Sequence, residues 1–136
     1  MGYLSSIYDN IDGKTASNSH RRYLNTCIRL AKMSSLTHKH GCVIVNTKTD
    51  EIVGTGYNKK VTNYSVGNSI HAEVDAIKSV RSKSFHNRGI YVMYIIRLGS
   101  PQGYITKYSK PCPVCTNFIL KKFHRIRKVY YSTNTL

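Results

Sequence analysis

The sequence predicts an α/β domain with helices on both faces of a mixed sheet, and three observations carry that expectation. Leu24, Cys27, Ile28 and Ala31 recur at helical spacing. Two short apolar runs, 42–45 and 52–57, flank a polar turn in the manner of a hairpin. Two later strand-like runs, 90–96 and 126–131, alternate with helical stretches, so these strands should lie parallel with helices covering the sheet. A chain of 136 residues suits one core.

Taken in order, residues 1–18 are polar, rich in Ser, Asn and Asp, and read as a flexible arm ahead of a single domain over 19–136. The first helix starts near Ser19, with Ser17, Asn18 or Ser19 available as N-cap. A basic stretch from Ser34 to His40 follows it. The hairpin strands are Cys42 to Val45 and Ile52 to Tyr57, joined through Asn46-Thr47-Lys48-Thr49-Asp50. Asn58 to Ser69 reads as a polar loop leading to His71. The next helix carries Val74, Ile77 and Val80 on one face, which places His71 and Glu73 in its first turn. Ile90 to Ile96 is apolar enough to be buried on both faces. Gly99 to Gly103 is a turn, and Tyr104-Ile105-Thr106 a short returning strand. A helix opens at the Cys112–Cys115 segment with Phe118, Ile119, Leu120 and Phe123 toward the core, and Ile126 to Tyr131 closes the sheet.

Composition narrows the classes of function. No stretch approaches the roughly 18 apolar residues of a membrane span, and no basic segment followed by an apolar block marks export. An intracellular protein without membrane partners is expected. Lys and Arg total 21 against 6 Asp and Glu, a formal charge of +15. Such an excess draws polyanions and makes their binding salt dependent. Four cysteines without an export signal argue against a disulfide framework. Cys27 and Cys42 read as buried small hydrophobes. A second metal site from His38, His40 and Cys42 lacks a second ligand pair at Cys-x-x-Cys spacing.

The chemistry lies in two half-motifs. His71-Ala72-Glu73 supplies an imidazole and an acid; Pro111-Cys112-Pro113-Val114-Cys115 supplies two thiolates. Cys112 and Cys115, three apart, share a helix face, and a helix N-terminus favours the thiolate form that binds metal. His71, Cys112 and Cys115 together make three ligands for one zinc ion, with water as the fourth. Three is a catalytic count, since structural sites close with four. Glu73, two residues beyond His71, stands free of the metal as a proton shuttle for that water. This H-x-E and P-C-x-x-C set is the signature of zinc nucleobase deaminases.

The chain resembles the zinc-dependent cytidine/deoxycytidylate deaminase superfamily. The resemblance runs from about residue 20 to 132. It rests on His71-Ala72-Glu73-Val74-Asp75-Ala76-Ile77, on the hairpin Gly41 to Asn46 with Ile52 to Asn58, and on Lys128-Val129-Tyr130-Tyr131. It implies a three-layer cytidine-deaminase-like fold, Asn58 as hydrogen-bond partner of the nucleoside, and the backbone of Ala72 lining the base pocket. Three departures stand out, one being the absence of the family's usual glycine before the last strand, where His124 or Arg125 stands. Gly99 to Lys110 is inserted before the cysteines, and the further strand and helix of many relatives do not follow residue 132. An open sheet edge there would invite a homo-oligomer.

The charge, the basic run Lys121 to Lys128 and eleven tyrosines able to stack bases point to cytosine deamination in single-stranded DNA or RNA. The hairpin and His-Ala-Glu segments look most like the free-nucleotide branch, which converts dCMP to dUMP. A tRNA adenosine deaminase would use the same chemistry on adenine, and a basic nucleic-acid-binding zinc module would use none of it.

Overall fold

The computed structural model describes residues 8–11, 18–60, 69–80, 89–98, 106–107 and 126–132. In chain order the elements are β1 (Tyr8–Ile11), α1 (Asn18–Lys32), β2 (Lys39–Asn46), β3 (Glu51–Tyr57), β4 (Lys59–Lys60) and β5 (Ser69–Ile70). They continue with α2 (Ala72–Ser79), β6 (Tyr91–Leu98), β7 (Thr106–Lys107) and β8 (Ile126–Ser132).

The main sheet runs β1-β8-β6-β2-β3, with β7 paired to the end of β6. β2 is antiparallel to both neighbours, β3 and β6, whereas β6, β8 and β1 run parallel. The expected mixed sheet is thus present, and α2 carries the chain from β3 across β2 to β6. Helices cover both faces.

Strand alternation sorts the core into two halves. On one face, Tyr23, Leu24, Cys27 and Ala31 of α1 meet Val43, Val45, Val92, Tyr94, Ile96 and Leu98. On the other, Ala72 and Ala76 of α2 meet Cys42, Ile44, Met93, Ile95 and Val129. β6 is buried along almost its whole length, as its apolar run predicts. Helix α1 comes in close because Gly41 has no Cβ; one there would collide with the backbone of Cys27.

The turn between β2 and β3 is fastened to α1. Asp50 sits at φ 60, the left-handed region that Asp tolerates better than most residues. Its carboxylate accepts from the Tyr23 hydroxyl and pairs with Arg22.

Three expectations need correction. Residues 8–11, inside the stretch read as a flexible arm, form a strand whose Tyr8 is the partner of Val129. The edge of β8 is therefore paired, and β1 takes its place as the outer strand on that side of the sheet. The polar loop after Asn58 begins and ends in a two-stranded ribbon, β4 against β5. Finally, α2 buries Ala72, Glu73 and Ala76, while Val74 and Ile77 are only partly covered. The reason lies in β3: a Cβ at Gly56 would run into the backbone of Ala72 and Ala76, so its absence brings small residues to the contact.

Candidate active site

His71 is the N-cap of α2, with extended backbone (φ −73, ψ 152) and a carbonyl that accepts the first-turn N–H of Asp75 at 3.0 Å. Its side chain makes no capping hydrogen bond, and the residue is exposed. Two positions on, Glu73 is only 5% exposed. A carboxyl buried in a first turn is favoured by the positive end of the helix. One helix start therefore presents an outward imidazole and a sequestered acid. Beneath them Cys42 is fully buried, and its thiol is pushed up by burial first and then by the Glu73 carboxylate.

Asp75, also in that first turn, ties the helix to the end of β3. Its Oδ2 accepts from Tyr57 N–H at 3.2 Å and pairs with Lys59 Nζ at 3.0 Å. The Lys59 ammonium also lies 4.4 Å from the centre of the Tyr57 ring. Lys59 is thus engaged, and Lys60 is exposed.

Asn58 is buried, and both ends of its amide are used by the backbone at the start of β2. Oδ1 accepts from His40 N–H at 2.8 Å, and Nδ2 donates to the His38 carbonyl. Ala72 is completely buried, its side chain in the core beneath β3. Neither role was legible in the sequence. The amide of Asn58 shapes the 38–40 segment, which holds His38 and His40 beside the helix start.

His40 is largely buried, and its imidazole is lowered to about 4 by burial, by the Arg97 guanidinium and by His71. Arg97, next to the last residue of β6, places its Nη2 2.6 Å from His38 Nδ1. His38, His40, Asn58, His71 and Arg97 thus gather at the carboxyl ends of β6 and β8, where open α/β sheets bind ligands. Sequence reasoning missed Arg97 and Asp75. The available signal for Arg97 was a lone cation near the end of an otherwise apolar strand.

Cys112, Cys115, their helix, the 99–105 turn and residues 121–125 of the basic run lie outside the described residues. Among the described residues no three His, Cys, Asp or Glu side chains form a metal-sized group. The described half of the zinc set fits a metal centre: His71 is an exposed residue at the start of α2, and a buried acid stands two residues on.

Residues 17–133 match the family model of the cytidine and deoxycytidylate deaminase zinc-binding region. The chain belongs to this family. The match spans both half-motifs, and membership supports hydrolytic deamination of a cytosine-type substrate. The fold of this deaminase is similar to that of the dCMP deaminase from cyanophage S-TIM5, solved with dCMP and dUMP (21% identity, TM-score 0.58, covering 83% of this chain and 80% of that one). It is also similar to cytidine deaminases from Burkholderia pseudomallei (15%, TM-score 0.55, 74% of each chain) and Mycobacterium leprae (17%, TM-score 0.54, 79% and 82%). A search of the curated protein sequences found no match. No helix among the described residues is long and apolar enough to cross a membrane.

Proposed function

We propose that this deaminase hydrolyses the exocyclic amine of a free cytosine nucleotide, with Glu73 as the catalytic acid and base. The observation that carries the reading is the burial of Glu73 two residues from an outward His71 at the start of α2. His71, Cys112 and Cys115 would hold one zinc ion, which when bound polarises a water and makes it nucleophilic near neutral pH. Glu73 takes a proton from the attacking water and passes it to the ring nitrogen next to C4. As the C4–N bond breaks, the proton of the new C4 hydroxyl reaches the departing amine, again through Glu73. Water and the aminopyrimidine are consumed; the 4-oxo base and ammonia are released. Burial keeps the carboxyl out of bulk water, which suits a group that must hold and release a proton within one turnover.

A free nucleotide is favoured by the similarity to the phage dCMP deaminase and by the gathering of cationic and imidazole groups at one end of the sheet. The second reading, cytosine in single-stranded DNA or RNA, is favoured by the net charge of +15. Offering dCMP, deoxycytidine, adenosine and oligonucleotides at two salt concentrations separates these readings. Glu73→Ala is expected to keep stoichiometric zinc and to lose about 10²-fold or more of the turnover. Unchanged turnover in that variant would overturn the proposal, and turnover of adenosine alone would move the substrate to the adenine branch.

A further inference from the structure

Arg97 does not resemble an ordinary surface cation. In β6 the residues Tyr91, Met93 and Ile95 face α2, so alternation puts Arg97 on that same face, beyond the end of the apolar run. Its partner across the ladder on β2 is His40, and on the other side β7 brings Lys107 to the opposite backbone position. A row of three basic residue types thus crosses the sheet at the end that carries His71. β6 turns back through β7 here before the chain reaches the cysteine pair, and that detour creates the row.

The guanidinium is held in place without being neutralised. Arg97 N–H donates to Ser132 Oγ at 3.2 Å, which fixes the backbone. Nη2 lies 2.6 Å from His38 Nδ1. With Nδ1 accepting, the other ring nitrogen of His38 carries the hydrogen and is a donor. The Nε of Arg97 is buried and has no hydrogen-bond partner. Among the described residues no carboxylate pairs with Arg97: Asp50 takes Arg22, and Asp75 takes Lys59. No Asp or Glu follows Asp75 in the sequence. A buried charged donor left without an acceptor is costly, and a guanidinium fork matches a tetrahedral oxyanion.

We propose that Arg97 and His38 form the subsite for the phosphate monoester of the substrate, so that this enzyme selects a cytosine nucleotide over its nucleoside. This rests on the deaminase reading of His71 and Glu73. A guanidinium that no described carboxylate pairs is what a dianionic phosphate completes and an uncharged sugar hydroxyl does not. Asn58 is a positioning residue here: its amide holds the His38 carbonyl and the His40 N–H, and so sets where His38 meets Arg97.

The test uses the zinc-loaded full chain and the Arg97→Met variant, which keeps an unbranched apolar stem but loses the fork. Steady-state kinetics on dCMP and deoxycytidine are read beside calorimetric binding of dUMP and deoxyuridine. Arg97→Met is expected to raise KM for dCMP and weaken dUMP about tenfold to hundredfold, the usual range for losing a charge-assisted contact, and to change the constants for deoxycytidine and deoxyuridine by a clearly smaller factor. Arg97→Lys should recover part of the loss. An equal loss on nucleotide and nucleoside, or no loss on either, would overturn the subsite. Faster turnover of an oligodeoxycytidylate lacking a terminal phosphate than of dCMP would overturn it as well. If the wild type deaminates nothing but binds dUMP through Arg97, the subsite stands and the deaminase reading fails.

Discussion

Replacing Gly56 by alanine is the sharpest probe of how the sheet sets the active site. A Cβ at residue 56 would lie 2.5 Å from the Ala72 carbonyl oxygen and 3.0 Å from Ala76 Cα, where ordinary contact begins near 3.4 Å. Both obstacles are helix backbone, so no side chain can swing aside. Helix α2 must therefore retreat by about 1 Å, and Ala72 lies between His71 and Glu73. Overpacking of this kind costs about 1–3 kcal/mol, which lowers Tm by roughly 3–12 °C for a domain of this size. Displacing catalytic groups by about 1 Å costs on the order of 10²-fold in rate. Gly56→Ala should therefore fold with a reduced Tm and lose far more kcat/KM on its cytosine substrate than its stability loss alone explains at 25 °C. Thr55→Ala, at an exposed neighbour on the same strand, is the control and should change neither quantity appreciably. A Gly56→Ala enzyme with full activity would refute the claim that β3 positions the helix start. So would a fall in Tm with kcat/KM untouched.

Further outcomes are expected. Cys112→Ala should lower bound zinc below one ion per chain, measured by atomic emission on dialysed protein; full occupancy would remove Cys112 from the ligand set. Stripping the metal with a chelator should abolish turnover and lower Tm, and added zinc should restore both. His40 has a folded value near 4, below the unfolded value of about 6.5. The unfolded chain therefore binds a proton that the fold refuses, so stability is present above about pH 6.5 and is lost as pH falls toward about 4. Urea titrations across that range should show a shallower decline for His40→Gln than for the wild type. Asp50→Ala should cost about 1–3 kcal/mol through left-handed strain and the lost Tyr23 contact, and Asp50→Gly should cost less because only the contact is lost.

The parts of the fold written as periodicity could be read from the sequence. α1, both hairpin strands, β6 and β8 all carry apolar repeats whose period dictates their geometry, and each lies where the repeat puts it. What escaped depends on distant partners. Tyr8-Asp9-Asn10-Ile11 has no strand-like pattern of its own; its pairing is decided by β8 at the far end of the chain. The face that α2 buries was misread because Val74 and Ile77 look more apolar than Ala72 and Ala76. The missing Cβ of Gly56 reverses that order by bringing the backbones together. At the site, residue types announced His71 and Glu73. Arg97 carried no comparable announcement, since its setting comes from Ser132, His38 and the pairing of β7 with β6 rather than from any neighbour in sequence. The family resemblance offers Asn58 as a nucleoside contact, while the hold of its amide on the His38 and His40 backbone depends on residues 18 to 20 positions away, which no local pattern announces.

The parallel pairing of β1 with β8 has a consequence for how the molecule is made. Tyr8 and Val129 are partners across a separation of about 120 residues, among the most expensive kinds of contact to form early in folding. During synthesis, residues 8–11 emerge long before their partner strand exists. The sheet can gather β2, β3 and β6 first, but its β1 edge closes only after β8 has left the ribosome and docked on β6. Until then β1 carries unpaired backbone groups, a state in which intermolecular strand exchange competes with correct closure. A bulky fusion placed just before Tyr8 would burden that last step, whereas one placed after Ser132 meets a strand already paired on its β6 side.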